Sequence, residues 1–386
     1  MNYFLTEEQK MIVETSRELA LSKIKPIRQK YDEEGIFPWD IVKEMAAADL
    51  MGLYIPEEYG GMGGGVFALV LAVEELSKVC GGISLAMAAT ALGTFPILLF
   101  ATDAQKKKYL PDIASGKKLA AFGLTEAGAG SDAGNMQTTA VRQGDYYILN
   151  GTKQWITNGG EAETYTVIAM TNKSKGTRGA TAFIVEKGTP GFDFGKKEDK
   201  MGIRASATRE LVFTNCKVPA ENVLGKEGMG FIVAVNTLNN SRPGVGAQAL
   251  GIAAGALDEA VAYARQRVQF GQPIASIQAV QHMLANMATE VEAARALIYQ
   301  TAKTIDAGEK SFAKISAMSK LFASEVAMRV TTDAVQVMGG YGYMREYPVE
   351  KMMRDAKITQ IYEGTSQIQR NEIALQLIKE AAKSGK

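Results

Sequence analysis

The chain is expected to be an α+β multidomain protein: a helical N-terminal domain over 1–118, a middle antiparallel β-domain over 119–230 and a C-terminal four-helix bundle over 231–386. Three observations lead there. At 386 residues the chain is too long for one small core. Its apolar spacing shortens from helix-like to strand-like near Ala120. The helical spacing returns after Gly228-Met229-Gly230 and persists to the end.

The first helix should follow Thr6, an N-cap residue with Glu7 and Glu8 in the first turn, and should turn Leu5, Ile12, Leu19 and Ile24 to one side. Pro56, Gly60-Gly61 and Gly63-Gly64-Gly65 then predict a loop. A second helix begins near Val66 and carries Leu69, Val73 and Leu76. Residues 83–101 are nearly uncharged, consistent with a buried helix and its connection. Phe122-Gly123-Leu124-Thr125-Glu126, with Gly128, Gly130, Ser131 and Asp132, reads as a strand and a loop of small residues. Short strands are predicted at 146–149, 166–170, 182–185 and 210–213, punctuated by Gly, Asn, Asp and Pro, which makes a sandwich or barrel of about a hundred residues. Helices are predicted at 244–267, 277–307, 312–338 and 366–382. Gly251 and Gly255, four apart inside the first of these, point to the close approach of a second helix.

Composition excludes several classes. A net charge of +1 gives no electrostatic case for nucleic acid or an anionic membrane. No apolar run is expected to reach the roughly 20 residues that span a bilayer. Met1 to Lys10 is polar and mixed in charge, unlike a signal peptide. Two cysteines, Cys80 and Cys216, suit a reducing compartment, the bacterial cytoplasm, and are read as small buried residues. A single histidine, His282, rules out a multi-histidine metal site and is read as a packing or surface residue. Carboxylates, tyrosines and a cofactor remain for chemistry.

Four segments carry chemical possibilities. The loop after Phe122 can bring backbone N–H groups to an anion, although most such loops are only turns, and no strand–helix–strand unit surrounds it as a dinucleotide fingerprint requires. In Lys153-Gln154-Trp155-Ile156-Thr157-Asn158, an indole could stack on a flat heteroaromatic ring whose edge bonds the neighbouring hydroxyl, or could simply fill a core. Arg265 to Ile274 reads as a helix end with two arginines favourable to the macrodipole. Ile361-Tyr362-Glu363-Gly364-Thr365-Ser366-Gln367-Ile368-Gln369-Arg370 contains a turn that spacing alone leaves ordinary.

Taken together, these segments resemble the flavin-dependent acyl-CoA dehydrogenases, in family order and spacing from about residue 4 to residue 380. The resemblance implies FAD as cofactor and no metal. It sets Phe122, Leu124 and Thr125 along the flavin, with the last two on the isoalloxazine. Gly130 and Ser131 fall near the pyrophosphate, Ser131 alternatively at the CoA. Trp155 and Ile156 lie against the flavin, with Thr157 beside the nitrogen that accepts hydride. Arg267 meets an FAD phosphate, with Phe270 and Gln278 nearer the adenine. Gln336, Val337, Gly339 and Gly340 form a second FAD-contacting run. These last two groups serve a neighbouring subunit's FAD, so a homotetramer is implied. Thr365 and Gln367 also contact FAD.

Glu363 falls at the catalytic base, with Gly364, Asn239 and Arg242 near the acyl-CoA. Most relatives carry Asp where this chain has Asn239. Some relatives place their base in that same helix, where this chain offers only Ser241. The implied reaction is α,β-dehydrogenation of a short- or medium-chain acyl-CoA to a trans-2-enoyl-CoA, with electrons passed to an electron-transfer flavoprotein. Glutaryl-type relatives have an arginine where this chain has Ile83, so a dicarboxylic substrate is disfavoured. Ala86, Ala88, Ala89 and Ala91 are small enough to admit more than four carbons. The alternatives are a dehydrogenase for cyclic, branched or dicarboxylic acyl groups, a physiological enoyl-CoA reductase, an acyl-CoA oxidase, and a flavin-free acyl-CoA-binding scaffold.

Overall fold

The computed structural model describes residues 3–383; the first two and last three residues, at the outer ends of the expected N- and C-terminal domains, lie outside the described residues. The first part holds helices α1 (Glu7–Leu19), α2 (Arg28–Glu34), α3 (Trp39–Ala47), α4 (Gly65–Ser77), α5 (Gly81–Phe100) and α6 (Asp103–Ala114). Thr6 caps α1 as expected, in a reciprocal capping box with Gln9. The cap of α4 comes from far away: Asp306 accepts from the backbone N–H groups of Val66 and Phe67 at 2.7 and 2.8 Å.

The middle part holds β1 (Ala120–Gly123), β2 (Thr139–Gln143), β3 (Tyr146–Thr157), β4 (Thr164–Met170), β5 (Ala180–Glu186), β6 (Phe192–Phe194), β7 (Thr208–Pro219) and β8 (Val223–Leu224). They form one hydrogen-bonded path, β6-β7-β3-β2-β4-β5-β8, with β1 added to β4. Most pairings are antiparallel, but β1–β4 and the single β2–β4 pair are parallel, so the sheet is mixed rather than purely antiparallel.

The last part holds α7 (Gly230–Gln266), the two-residue strands β9 (Val268–Gln269) and β10 (Gln272–Pro273), then α8 (Gln278–Asp306), α9 (Ala313–Met338), α10 (Val349–Thr359) and α11 (Ser366–Lys383). The four long helices fall where expected, with two corrections. The short α10 has no counterpart in the sequence reading. α7 starts at Gly230, not 244, and runs straight through Pro243. Proline ordinarily breaks a helix, because it leaves the carbonyl four residues back unpaired. Here that carbonyl belongs to Asn239, and Ser316 Oγ on α9 donates to it at 2.6 Å.

α5 brings a further correction. Over 20 residues it is long and apolar enough to cross a membrane, contrary to the expectation, yet most of it is buried inside the protein. It lies between the helical and β parts. A Cβ on its Gly93 would sit 2.4 Å from Ala121 N in β1. Asn158, just past β3, donates to Thr90 Oγ1, Ala86 O and Ala120 O at 3.2–3.4 Å. One continuous apolar core spans all three parts. A small second cluster stands apart: Leu85, Ala89 and Ile203, packed by Ala88, Ile358 and Tyr362.

Gly251 and Gly255 do mark a close approach, to the C-terminal end of α4. A Cβ on Gly251 would lie 2.4 Å from Glu74 O, and one on Gly255 would lie 2.0 Å from Lys78 O. Gly255→Ala should therefore destabilise by about 2 kcal/mol or more. An unfolding midpoint equal to wild type, in urea or on heating, would contradict this packing.

Candidate active site

The turn between α10 and α11 carries Glu363. Glu363 and Gly364 have φ of 51° and 93°, in the left-handed region that a glutamate seldom occupies. Side chains hold them there. Gln369 Nε2, on α11, donates to the carbonyls of both residues at 3.0 Å. Lys320 Nζ, on α9, donates to Gly364 O at 2.7 Å. The Tyr362 hydroxyl donates to Gln248 Oε1 on α7, and Gln248 Nε2 donates to Gly81 O at the start of α5 at 2.8 Å. The turn is thus fastened to four helices.

This conformation aims the Glu363 carboxylate at α7, where Ser241 Oγ donates to Oε2 at 2.5 Å. Arg242, 6 % exposed, donates to Asn239 Oδ1 at 2.8 Å, a bond to a neutral acceptor in place of an ion pair. Burial pushes the Glu363 carboxyl above the ordinary glutamate range; the Ser241 hydrogen bond and the charges of Lys320 and Arg242 oppose it without cancelling it. The second apolar cluster adjoins this carboxylate through Tyr362. Of the four small residues expected to leave acyl space, Ala89 belongs to this cluster, Ala88 packs against both it and the main core, and Ala86 and Ala91 are packed into the main core with Ile83.

On the β side, the β3–β7 register passes from Lys153↔Leu211 to Ile156↔Arg209, so Gln154 and Trp155 together oppose Glu210. This is a β-bulge, a device that re-aims a side chain. Trp155 takes φ 57° and turns outward, 56 % exposed, while Lys153 points inward and is fully buried. Lys153 Nζ donates to Glu126 Oε1 at 2.8 Å and to Leu124 O at 3.0 Å. Glu126 also accepts from the N–H groups of Gln137 and Thr138, and Gln154 N donates to Thr125 O at 2.8 Å. The pair clamps the loop of Leu124 and Thr125 beside the bulge that carries Trp155. Burial works against the charge of Glu126, but Lys153 and the hydrogen bonds hold its carboxyl below the ordinary range. Burial pulls the Lys153 ammonium down to about 8.

Phe122 and Ile156 are buried, Leu124, Thr125 and Thr157 half-buried, and Gly130 and Ser131 exposed on the loop. A flat surface of half-exposed indole beside polar backbone fits an isoalloxazine. Arg267, Val337, Gly339 and Gly340 instead line a separate cleft of about 480 Å³ with Tyr263 and Tyr341. The Arg267 guanidinium stacks on the Tyr341 ring, 5.2 Å from its centroid. Phe270, Gln278 and Gln336 are exposed, as are Gln367 and His282, while Thr365 is half-buried. Cys80 and Cys216 are buried thiols, and no cluster of metal-ligating side chains occurs among the described residues. The sequence reading missed Lys153, Glu126, Gln248, Lys320 and Gln369. No local sequence signal marks the two lysines, since a lysine in either setting reads as a surface residue.

The helical–β–helical order and the position of this carboxylate turn can be set beside known proteins. Models of the acyl-CoA dehydrogenase N-terminal, middle and C-terminal domains match residues 6–117, 121–216 and 228–378. The short-chain-specific acyl-CoA dehydrogenase of Clostridium acetobutylicum is 50 % identical over 96 % of this chain and 98 % of its own. The butyryl-CoA dehydrogenase structure from Megasphaera elsdenii superposes with a TM-score of 0.95 at 50 % identity, covering 98 % of this chain and all (100 %) of that one. A chain in the structure of the electron-transferring flavoprotein of Acidaminococcus fermentans superposes at 0.96 with 53 % identity, over 98 % and 99 % of the two chains. This chain belongs to the acyl-CoA dehydrogenase family.

Lys153→Met would leave Glu126 buried without its cation and should cost about 3–5 kcal/mol. The double variant with Glu126→Gln should recover part of that loss. Thermal unfolding measures both, and a fully stable single variant would remove the pair as the clamp of this loop.

Proposed function

We propose that the protein is an FAD-dependent dehydrogenase that converts a short- or medium-chain acyl-CoA to its trans-2-enoyl-CoA, with Glu363 as the base that removes the α proton. The observation that carries this reading is the Glu363 turn, which presents a carboxylate of raised pKa beside a small apolar cluster. A base with its pKa moved toward the working pH is better matched to a weakly acidic proton. The flavin, when bound, supplies the acceptor for the hydride leaving the β carbon.

The chain's own residues do the rest. Left-handed backbone at Glu363 leaves its N–H without a protein acceptor among the described residues, so it is free to donate to the thioester oxygen and stabilise charge developing there. Leu85, Ala88, Ala89, Ile203 and Ile358 offer the acyl chain only aliphatic surface. A distal carboxylate in that cluster would be an unpaired buried charge, which disfavours dicarboxylic substrates. Gly364, Asn239, Arg242 and Ser131 are the proposed contacts to acyl-CoA. For FAD we assign Phe122, Leu124, Thr125, Gly130, Ser131, Trp155, Ile156, Thr157, Thr365 and Gln367 to the near site.

Arg267, Phe270, Gln278, Gln336, Val337, Gly339 and Gly340 are assigned to the FAD of a neighbouring copy. A homotetramer is the proposed assembly. It would cover Phe270, which is 90 % exposed, and the neighbouring Val268. An electron-transfer flavoprotein is the proposed acceptor, a reading supported by the likeness to the Acidaminococcus fermentans chain.

Anaerobic addition of butyryl-CoA should bleach the yellow protein, with straight-chain substrates outperforming glutaryl-CoA. Glu363→Gln should keep the flavin and slow bleaching by about 10³-fold or more; fast bleaching by that variant would refute the assignment. The pH dependence has a defined sign. Activity needs ionised Glu363, so it falls as pH drops through the raised pKa. Ser241→Ala removes a bond that favours the ionised form, so the acid limb should move up, by about one pH unit. A downward shift would be inconsistent with the 2.5 Å hydrogen bond.

A further inference from the structure

Lys320 is a cation with no surface exposure, a costly thing to place in a core. Its ammonium has one hydrogen bond, to Gly364 O at 2.7 Å, and no ion pair among the described residues. It sits in a row on α9: Ser316, Lys320 and Ser324 are spaced four apart and share one face. Each takes up a backbone carbonyl from another segment. Ser316 pairs Asn239 O, Lys320 pairs Gly364 O, and Ser324 pairs Thr359 O at 2.8 Å. The outer two are hydroxyls, which suffice for a carbonyl. Accepting a hydrogen bond does not require a charged donor, so a buried ammonium at the middle position demands a further reason.

That reason is the carboxylate on the adjoining residue. Glu363 faces Arg242 from α7 and Lys320 from α9, together with the Ser241 hydroxyl. Lys320 in turn faces Glu363, Arg242 and Glu325, and Arg242 faces Glu363 and Glu372 of α11. Arg242 bonds the neutral amide of Asn239, and its Nε has no partner among the described residues. Two buried cations thus act through their charge on one carboxylate, and Lys320 touches its turn through Gly364 O. Burial draws the Lys320 ammonium down to about 7, against the pull of Glu363.

We propose that Lys320 is a positioning residue for Glu363: its ammonium pins the left-handed turn through Gly364 O and supplies the buried countercharge that keeps the carboxylate ionised. This rests on Glu363 being the base. The two effects separate by substitution. Lys320→Gln keeps a donor but no charge, Lys320→Arg keeps the charge, and Lys320→Met keeps neither.

The test is the pH profile of anaerobic flavin reduction by butyryl-CoA, followed by stopped flow in the holoenzyme. Loss of a neighbouring positive charge raises a carboxylate's pKa, so the acid limb should move up by about one pH unit in K320Q and K320M. It should stay near wild type in K320R, and KM should change less than about threefold in K320Q. A purely structural lysine would lower thermal stability and leave the limb unmoved, which would overturn the proposal. If wild type itself is not bleached, the dehydrogenase reading fails instead. A second arm needs no neutral variant at this position. In protein carrying 13Cε-labelled lysine, with K320R identifying the signal, the Lys320 resonance should titrate at lower pH in E363Q than in wild type, by about one unit. An unchanged titration would show that the two groups do not interact, and would equally overturn the proposal.

Discussion

Inside the helical half, three backbone carbonyls from three separate segments are taken up by a single face of α9. A buried carbonyl without a donor costs about 1–3 kcal/mol, so irregular backbone in a core survives only where a side chain meets it. Ser316 lets α7 run through Pro243, Lys320 holds the turn at Gly364, and Ser324 closes the end of α10. Ser241 and Arg242 lie on α7 near the first of these points, and Glu363 precedes the second. The distance between Ser241 and Glu363, 2.5 Å across 122 residues of sequence, is therefore set by a third element that touches both.

The β part meets the same constraint by another route. In a regular strand residues two apart share a face; the bulge in β3 breaks that rule, so Lys153 is buried and Trp155 exposed. The buried lysine is tolerable because Glu126 neutralises it and Leu124 O accepts from it. Glu126 in turn orders the loop through two backbone N–H groups. The ion pair is best understood as specifying a loop conformation, since a buried pair seldom adds net stability over an apolar replacement.

Both halves meet along α5. Its apolar length suits a membrane, but Gly93, Thr90 and Ala86 accept β1 and Asn158 on one side, while Leu85 and Ala89 face the cluster near Glu363 on another. Ile203 enters that cluster from the loop between β6 and β7 with φ 46°, tied through its N–H to Asp355 Oδ1 at 2.5 Å. A β-branched residue in that region is strained. This strained residue stands where three separate segments converge.

The sequence alone determined the three-part order, the Thr6 cap, the four long helices after 230 and the close approach at Gly251 and Gly255. Each follows from local periodicity or from residue types with narrow backbone preferences. It also marked Glu363, Trp155 and Arg242 through resemblance, because those segments keep family order. Tertiary structure alone decided how α7 crosses Pro243, that α10 exists, that the sheet is mixed, and that Ala86 and Ala91 pack into the main core while Ala89 joins the small cluster. It also decided the buried partners, Lys320, Lys153, Glu126, Gln248 and Gln369. A lysine reads as surface in any local pattern. Only the folded chain brings a carbonyl or carboxylate within reach to repay its loss of water.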